Sequence, residues 1–372
     1  MAEMTKDEML GIVKESISNL KEKNFYIYFY VLDTKGNPSS SLEYIYQTAY
    51  VLKNHGYNVA MLHNEKDFIG VGDWLGEEYA NLKHYFIEKD NVPIRPYDFL
   101  VIPEIFANVM IQTKKLPCKK ILLVQNYNHI CEFMPVSVTP ETLGITDVIV
   151  TTKEQEKKVK DYFPNLNTHI VSPSIKPVFR PFDGPKKLVV NVISKDQAKF
   201  NQMVKPFFWK NPMYSWVSFK DVRGFTLEEF AEVLRNGAIT IWADDDTNFG
   251  YTLLEALKCG GLVIAKTPTH PSDWMLDENG DFTNNIVWFD DVDDVSKLLP
   301  SVIRSWTKDD VPEDVYENQK YFFDKYTEAE QEKEIEEVYI NQIFAKRLTD
   351  FEEVKTDIDN NVFLTSDSEW KI

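Results

Sequence analysis

The residues whose types and spacing could do chemistry concentrate between Thr247 and Ala265. An apolar run from Ala238 ends at Trp242, a polar turn follows, and Asn248 and Gly250 open a segment with Leu253, Leu254, Ala256 and Leu257 along one side. The Gly260-Gly261 pair stops that helix, and Leu262 to Ala265 reads as a buried parallel strand. A helix that starts in a glycine-containing loop after a strand gathers first-turn N–H groups and the positive end of its dipole at one point. Such a point suits a phosphate, and Gly250 lets the backbone come close to it. Glu255 follows about 7.5 Å along the axis at ~1.5 Å per residue. A carboxylate there reaches hydroxyls of a ligand whose phosphates sit at the helix start.

Four other groups have chemical potential, each with a plain structural alternative. Lys195 and Lys199 follow the strand ending at Ile193; cations there would stabilise a departing diphosphate, or form a solvated pair. Gln125 and Asn126 end a strand, with His129 close behind, and a lone His is as readily structural. Ser39 and Ser40 could bond a phosphate or cap a helix. Asp244, Asp245 and Asp246 could hold a divalent cation or form a polar turn.

The elements that must position these groups alternate along the chain. Residues 1 to 24 read as a helix, then come the strand Tyr26 to Val31, a helix after Ser39 to Ser41 closed by Gly56, and the strand Val59 to Leu62. Strand-like runs recur at Asp98 to Ile102, Lys120 to Val124 and Asp147 to Val150. This rhythm predicts a parallel sheet wrapped by helices. Prolines between Ile175 and Pro185 mark a linker. A second α/β series starts at Leu188 to Ile193 and passes through Leu227 to Leu234, Ala238 to Trp242 and Asn285 to Phe289. Asp291 to Leu299 and Val311 to Phe323 read as helices. Thr327 to Arg347 reads as a long charged helix with a stripe of Ile335, Val338, Tyr339, Ile343 and Phe344, followed by a polar tail.

Composition narrows the function classes. A chain of 372 residues, 43% apolar and 13% aromatic, suits two folded domains rather than disorder. No apolar run reaches the ~18 residues of a membrane span, so no membrane insertion is expected. The N-terminus lacks signal-peptide order, and Cys118, Cys131 and Cys259 have no metal spacing, which fits a reducing cytoplasm. The formal charge of −18 argues against a general nucleic-acid binder, but it is uneven. From Lys308 onward 8 basic residues face 19 acidic ones, whereas Lys186 to Arg223 holds 8 basic against Asp196 and Asp221.

The Thr247-to-Ala265 stretch resembles the nucleotide-sugar signature of GT-B glycosyltransferases, specifically retaining family 4. That signature is a Glu, then Gly-Phe-Gly, a second Glu eight positions after the first, then Ala, Gly and a Pro-Val-Ile-Ala-like strand. Phe249, Gly250, Glu255, Ala256, Gly260, Val263, Ile264 and Ala265 match it, while Thr247 stands where the first Glu would be. Ser39 to Val59 is similar to the family's first helix and second strand, with Ser39-Ser40 in place of Gly-Gly. Arg223-Gly224-Phe225-Thr226 through Glu229 resembles the loop and helix before the nucleotide site.

The resemblance implies an α/β GT-B fold, two Rossmann-like domains facing across a cleft. The domains would be 1–178 for the acceptor and 179–324 for the nucleotide sugar, with 325–372 a helix and tail packing back on the first. It implies that Asn248, Phe249, Gly250, Tyr251 and Thr252 cradle the donor and that Glu255 binds its ribose hydroxyls. Thr247 would lie by the sugar, and Arg223, Ser39 and Ser40 would border the nucleotide. Lys195 and Lys199 would clamp the diphosphate, while Asn126, or Gln125, and His129 would lie near the transferred sugar. The implied reaction is retaining transfer from a nucleoside-diphosphate sugar, a UDP-sugar foremost, to a hydroxyl. No metal is required, although Asp244 to Asp246 is similar to the metal-binding DxD cluster of GT-A enzymes. The acceptor stays open between a hydroxymethylated pyrimidine in DNA, as in phage DNA-modifying enzymes, and a glycan, lipid or small molecule. The basic segment with Phe207, Phe208, Trp209 and Trp216 permits DNA. Thr247 and Ser39-Ser40 also leave room for a catalytically degenerate binding protein. The oligomeric state is not legible.

Overall fold

A computed structural model describes residues 5–181, 184–194, 196–244, 249–308, 320, 322 and 324–360. The chain forms two compact units. Unit 1 comprises Met1–Thr151, Gln155–Ser172 and Glu332–Ile372; unit 2 comprises Thr152–Glu154 and Pro173–Gln331.

Among the described residues, unit 1 holds a parallel sheet of β1 (Tyr26–Tyr30), β2 (Asn58–His63), β3 (Lys83–Phe86), β4 (Phe99–Pro103), β5 (Lys119–Val124), β6 (Asp147–Val150) and β7 (Asn167–Ile170). Their order is β3-β2-β1-β4-β5-β6-β7. The central strands are apolar along their whole length because each face has its own core. Ile27, Phe29, Phe99 and Val101 point into one cluster, and Tyr28, Leu100, Leu122 and Val124 into the other. Side chains alternate across a strand, so burial on both faces produces a continuous apolar run.

Unit 2 holds a parallel sheet of β8 (Lys187–Ile193), β9 (Ser218–Asp221), β10 (Gly237–Trp242), β11 (Leu262–Lys266) and β12 (Val287–Phe289), in the order β12-β11-β10-β8-β9. Every residue of β10 is buried. In both sheets the strand order reverses direction once, between β1 and β4 and between β8 and β10. In open parallel sheets the carboxyl ends of such strand pairs form the ligand crevice, because the helices that follow them leave on opposite faces.

The structure departs from the sequence reading at several elements. The first helix is shorter, Lys6–Lys21, and Thr5 starts it with a capping box to Glu8. Strands β3, β7 and β9 have no apolar run to announce them. The helix expected from Asp291 begins as a 3-10 turn, Val292–Asp294, and becomes α-helical over Val295–Thr307. The helix expected over Val311 to Phe323 lies outside the described residues except at Lys320 and Phe322.

The last helix does not give way to a tail at Arg347. It runs from Glu328–Ile335 through a π-helical stretch, Glu336–Phe344, into Ala345–Asp359. Leu348, Phe351, Val354 and Ile358 continue its packed side in unit 1. Each fully buried side chain of this size contributes about 1.5–3 kcal/mol. Arg347, buried on that side, donates to the Pro96 carbonyl at 2.7 Å. None of the described helices is long and apolar enough to cross a membrane.

Candidate functional site

In unit 2 the carboxyl ends of β8, β9 and β10 lie side by side. Trp242 is in register with Ile193, and Val192 with Asp221. After β10, Gly250 adopts a left-handed conformation, φ 80° and ψ 45°, and opens the helix Tyr251–Lys258. A Cβ built on Gly250 would come within 2.4 Å of the Met275 Cε and 3.2 Å of the Trp274 ring. Both the positive φ and the crowding therefore require glycine. The turn is held from several sides. The Trp242 indole N–H donates to the Thr252 hydroxyl at 2.9 Å. The Phe249 carbonyl accepts from the Trp274 indole at 2.8 Å and from the Ser272 hydroxyl at 3.1 Å. Phe249 is buried with its ring edge-on to Tyr251, centroids 4.9 Å apart, and to Tyr326 at 5.4 Å.

Glu255 is half-buried on the same helix. Cys259 and Leu257 fill the core behind it, and burial pushes the Cys259 thiol up to about 12, so this cysteine acts as an apolar core residue. The result is a rigid turn that presents the start of a helix at the sheet's switch point, with a carboxylate further along. This arrangement is suited to an anion bearing hydroxyls.

The neighbouring cations differ in how they are held. Asp196 caps the helix Gln197–Lys210 by accepting from the Lys199 N–H at 2.7 Å, which places half-buried Lys199 in the first turn. Arg223 donates to the Asp221 carboxylate at 2.9 Å and to the side-chain amide oxygen (Oε1) of Gln197 at 2.6 Å. The hydrogen bond from Arg223 is the main reason the Asp221 carboxyl lies below its usual range. Lys195, Thr247, Asn248, Asp245 and Asp246 lie outside the described residues. Among the described residues there is no group of three or more His, Cys, Asp or Glu positioned to hold a metal ion.

In unit 1 the candidate residues also gather at the carboxyl ends of strands. Ser39 caps the helix Ser40–Asn54 by accepting from the Leu42 N–H at 3.4 Å, and Ser40 is that helix's first residue. Gln125 donates to the Ser41 carbonyl at 3.1 Å, tying the end of β5 to this helix start. Asn126 caps the helix Tyr127–Phe133 by accepting from the Asn128 N–H at 3.0 Å. The residue that the sequence reading missed is Glu104, directly after β4 and only 3% exposed. Its carboxylate accepts from the Asn126 N–H at 2.8 Å and faces the His129 Nδ1 at 3.4 Å. Glu104 thus joins Asn126 and His129 in one cluster. A carboxylate closing the apolar run Phe99–Pro103 was the available signal.

Neither a scan against protein-family models nor a comparison with curated protein sequences gives a match. Solved structures do match in fold. A sucrose-phosphate synthase from Thermosynechococcus elongatus aligns with TM-score 0.60 at 12% identity, over 87% of this chain and 100% of that one. A glycosyltransferase from Rickettsia africae ESF-5 aligns with TM-score 0.58 at 11% identity, over 87% and 99%. HepE from Anabaena, solved with UDP and glucose, aligns with TM-score 0.53 at 12% identity, over 84% and 98%. The chain is α/β and has the GT-B glycosyltransferase fold.

Proposed function

We propose that this protein is a glycosyltransferase that moves a sugar from a nucleoside-diphosphate sugar, a UDP-sugar foremost, to a hydroxyl acceptor. The observation that carries this reading is the glycine-only turn at Gly250, opening a helix at the switch point of unit 2 with Glu255 on the same helix. The match of Phe249 to Ala265 with the retaining family 4 signature and the GT-B fold support the same conclusion.

Residues 247–252 cradle the donor diphosphate and sugar, and Glu255 accepts hydrogen bonds from the ribose hydroxyls. Lys195 and Lys199 stabilise the diphosphate as its charge grows. In the transfer, the bond from the anomeric carbon to the phosphate oxygen breaks and a bond to the acceptor oxygen forms. The acceptor proton passes to the departing diphosphate on the same face, so configuration is retained and no metal is needed. Arg223 serves the donor side by holding the loop after β9 through Asp221 and Gln197. Ser39 and Ser40 hold the helix start in unit 1, which is assigned the acceptor, with Asn126 and His129 as its polar contacts. Thr247, neutral and short where the family has a carboxylate beside the sugar, favours a sugar other than glucose in the usual geometry.

Incubation with a panel of UDP-, ADP- and GDP-sugars, without added metal, tests this reading through release of the nucleoside diphosphate. UDP release and a thermal shift with UDP are expected. No turnover and no shift with any nucleotide would instead make the chain a GT-B protein without donor binding.

A further inference from the structure

Unit 1 contains a chain of polar contacts that the transfer reaction does not use, centred on His169 in β7. The ring sits between two acceptors. Its Nε2 is 3.1 Å from the Asp147 carboxylate at the start of β6, and its Nδ1 is 2.9 Å from the side-chain oxygen of Gln342. The orientation of the Gln342 amide is set independently, because its nitrogen donates to the Glu337 carboxylate at 3.1 Å. A carboxylate only accepts, so the oxygen of that amide is the atom turned toward the histidine. A neutral imidazole donates from one nitrogen and presents a lone pair at the other, whereas an imidazolium donates from both. The arrangement is therefore complete only when His169 carries a proton on each ring nitrogen. Its side chain is 13% exposed, which leaves little water to take over a lost contact.

The charged groups around the ring come from each element beside it. Asp147 is buried and also meets the Lys119 ammonium of β5 and the Thr146 hydroxyl, the latter at 2.6 Å. Burial would raise its carboxyl, but the hydrogen bond from His169 and the charge of Lys119 outweigh that and hold it well below the usual range. Asp147 thus stays ionised across the interval in which histidines change charge, about pH 5 to 8. Glu156, on the helix Lys153–Tyr162, accepts from the Thr168 hydroxyl at 3.0 Å, pairs with Lys160 and feels the charge of His169. On the last helix, Glu337 lies behind Gln342, and Lys346 feels Asp147 while its own partner is Asp350. His169 is the member of this group whose charge changes near neutral pH.

What the ring holds is the least regular part of the last helix. Gln342 lies in the π-helical stretch Glu336–Phe344, with α-helix on either side. π geometry is rare and is found frequently at functional sites. The same stretch buries Tyr339 completely, and the Tyr339 hydroxyl has no hydrogen-bond partner among the described residues. An unpaired buried hydroxyl weakens the segment that carries it. The stretch therefore depends on its remaining ties, and His169 supplies a polar one.

We infer that His169 is a proton-operated clamp that, as imidazolium, ties the π-helical stretch of the last helix to β6 and β7. When the ring is neutral and keeps its proton toward Asp147, its Nδ1 lone pair faces the lone pairs of the Gln342 oxygen. That contact then repels, and the stretch loosens. The stabilisation is present while the ring is charged and is lost as pH rises through its titration. Every residue of the clamp belongs to unit 1. The inference does not depend on the transferase reading, and the two can fail separately.

Hydrogen exchange of the full chain, corrected for the intrinsic pH dependence of exchange, tests the inference. Protection of Glu336–Phe344 at about pH 6 should exceed that at about pH 8 by roughly fivefold or more, while Ala345–Asp359 changes little. Gln342→Leu removes the second acceptor and lets a neutral ring serve Asp147 alone, so its protection should be the same at both pH values. His169→Gln cannot ionise and should lose the difference as well. The readout is the ratio between the two pH values, which survives any general loosening by either substitution. His55, paired with Glu332 at 3.1 Å near the start of the same helix, is the control. His55→Gln should keep the ratio of the parent. The inference is overturned if the parent shows no difference between the two pH values, or if the difference persists in both Gln342→Leu and His169→Gln. It is equally overturned if His55→Gln is the variant that removes it.

Discussion

At the switch point of unit 1, the carboxyl ends of β1 and β4 lead to two buried carboxylates that the protein's own donors already engage. Asp33 accepts from the Lys35 ammonium at 2.8 Å, the Lys35 N–H at 3.0 Å and the Ile69 N–H at 3.2 Å, and Glu104 accepts from the Asn126 N–H at 2.8 Å. At the switch point of unit 2, the chain after β10 reaches Gly250, a left-handed glycine that opens the next helix. The first arrangement fixes loops, since a buried charge must be met by donors. The second places a helix start and its dipole at the end of the strand, the feature on which the proposed donor binding rests. Two parallel sheets thus end in different chemistry, and the difference lies in the few residues after each strand.

The sharpest test of this contrast is Gly250→Ala. A side chain at φ 80° facing Met275 should cost about 3 kcal/mol of stability and remove nucleotide binding. Denaturant unfolding and nucleotide titration read the two effects, and retained affinity would break the contrast. Next in size, Glu255→Ala should weaken UDP binding roughly tenfold to a hundredfold, as loss of a charge-assisted hydrogen bond does. Unchanged affinity in calorimetry would refute its role.

Glu104→Ala should act in the opposite sense. Leaving the half-buried Asn126 N–H without its acceptor should cost about 1–2 kcal/mol of stability while UDP affinity stays the same. A fall in UDP affinity without destabilisation would show that unit 1's carboxylates are not merely internal. The smallest effect concerns pH. Burial raises the Asp33 carboxyl, but the hydrogen bonds from Lys35 and the Ile69 amide outweigh it and hold the group below its ordinary range. A depressed carboxyl stabilises the fold above its unfolded value, about 3.9, and that stabilisation is lost as pH falls toward the folded value. Acid unfolding below about pH 4 should therefore be shallower in Asp33→Asn than in the parent.

How much of this was legible in the sequence depended on how local the cause was. The strands β1, β2, β4, β5, β6, β8, β10 and β11 are covered on both faces, so each appears as an apolar run. The three strands without such a run, β3, β7 and β9, are all at sheet edges. Burial there is partial, and Lys83–Phe86, Asn167–Ile170 and Ser218–Asp221 mix polar and apolar residues. The last helix continued to Asp359 because Phe351 and Ile358 found a core made by residues more than three hundred positions earlier. Its charged composition gave no hint of that.

The sequence by itself determined that the chain is two α/β halves and that a glycine turn, a helix and Glu255 follow a buried strand. Those features arise from neighbours in the chain, through strand burial, helix periodicity and glycine's freedom at positive φ. Only the tertiary structure decided which polar groups meet. It brought Glu104 to Asn126 and His129, paired Arg223 with Asp221, and turned Trp209, Met213 and Trp216 to the outside. Each of these is set by packing between segments distant in sequence, and side-chain spacing within one segment does not encode its partner.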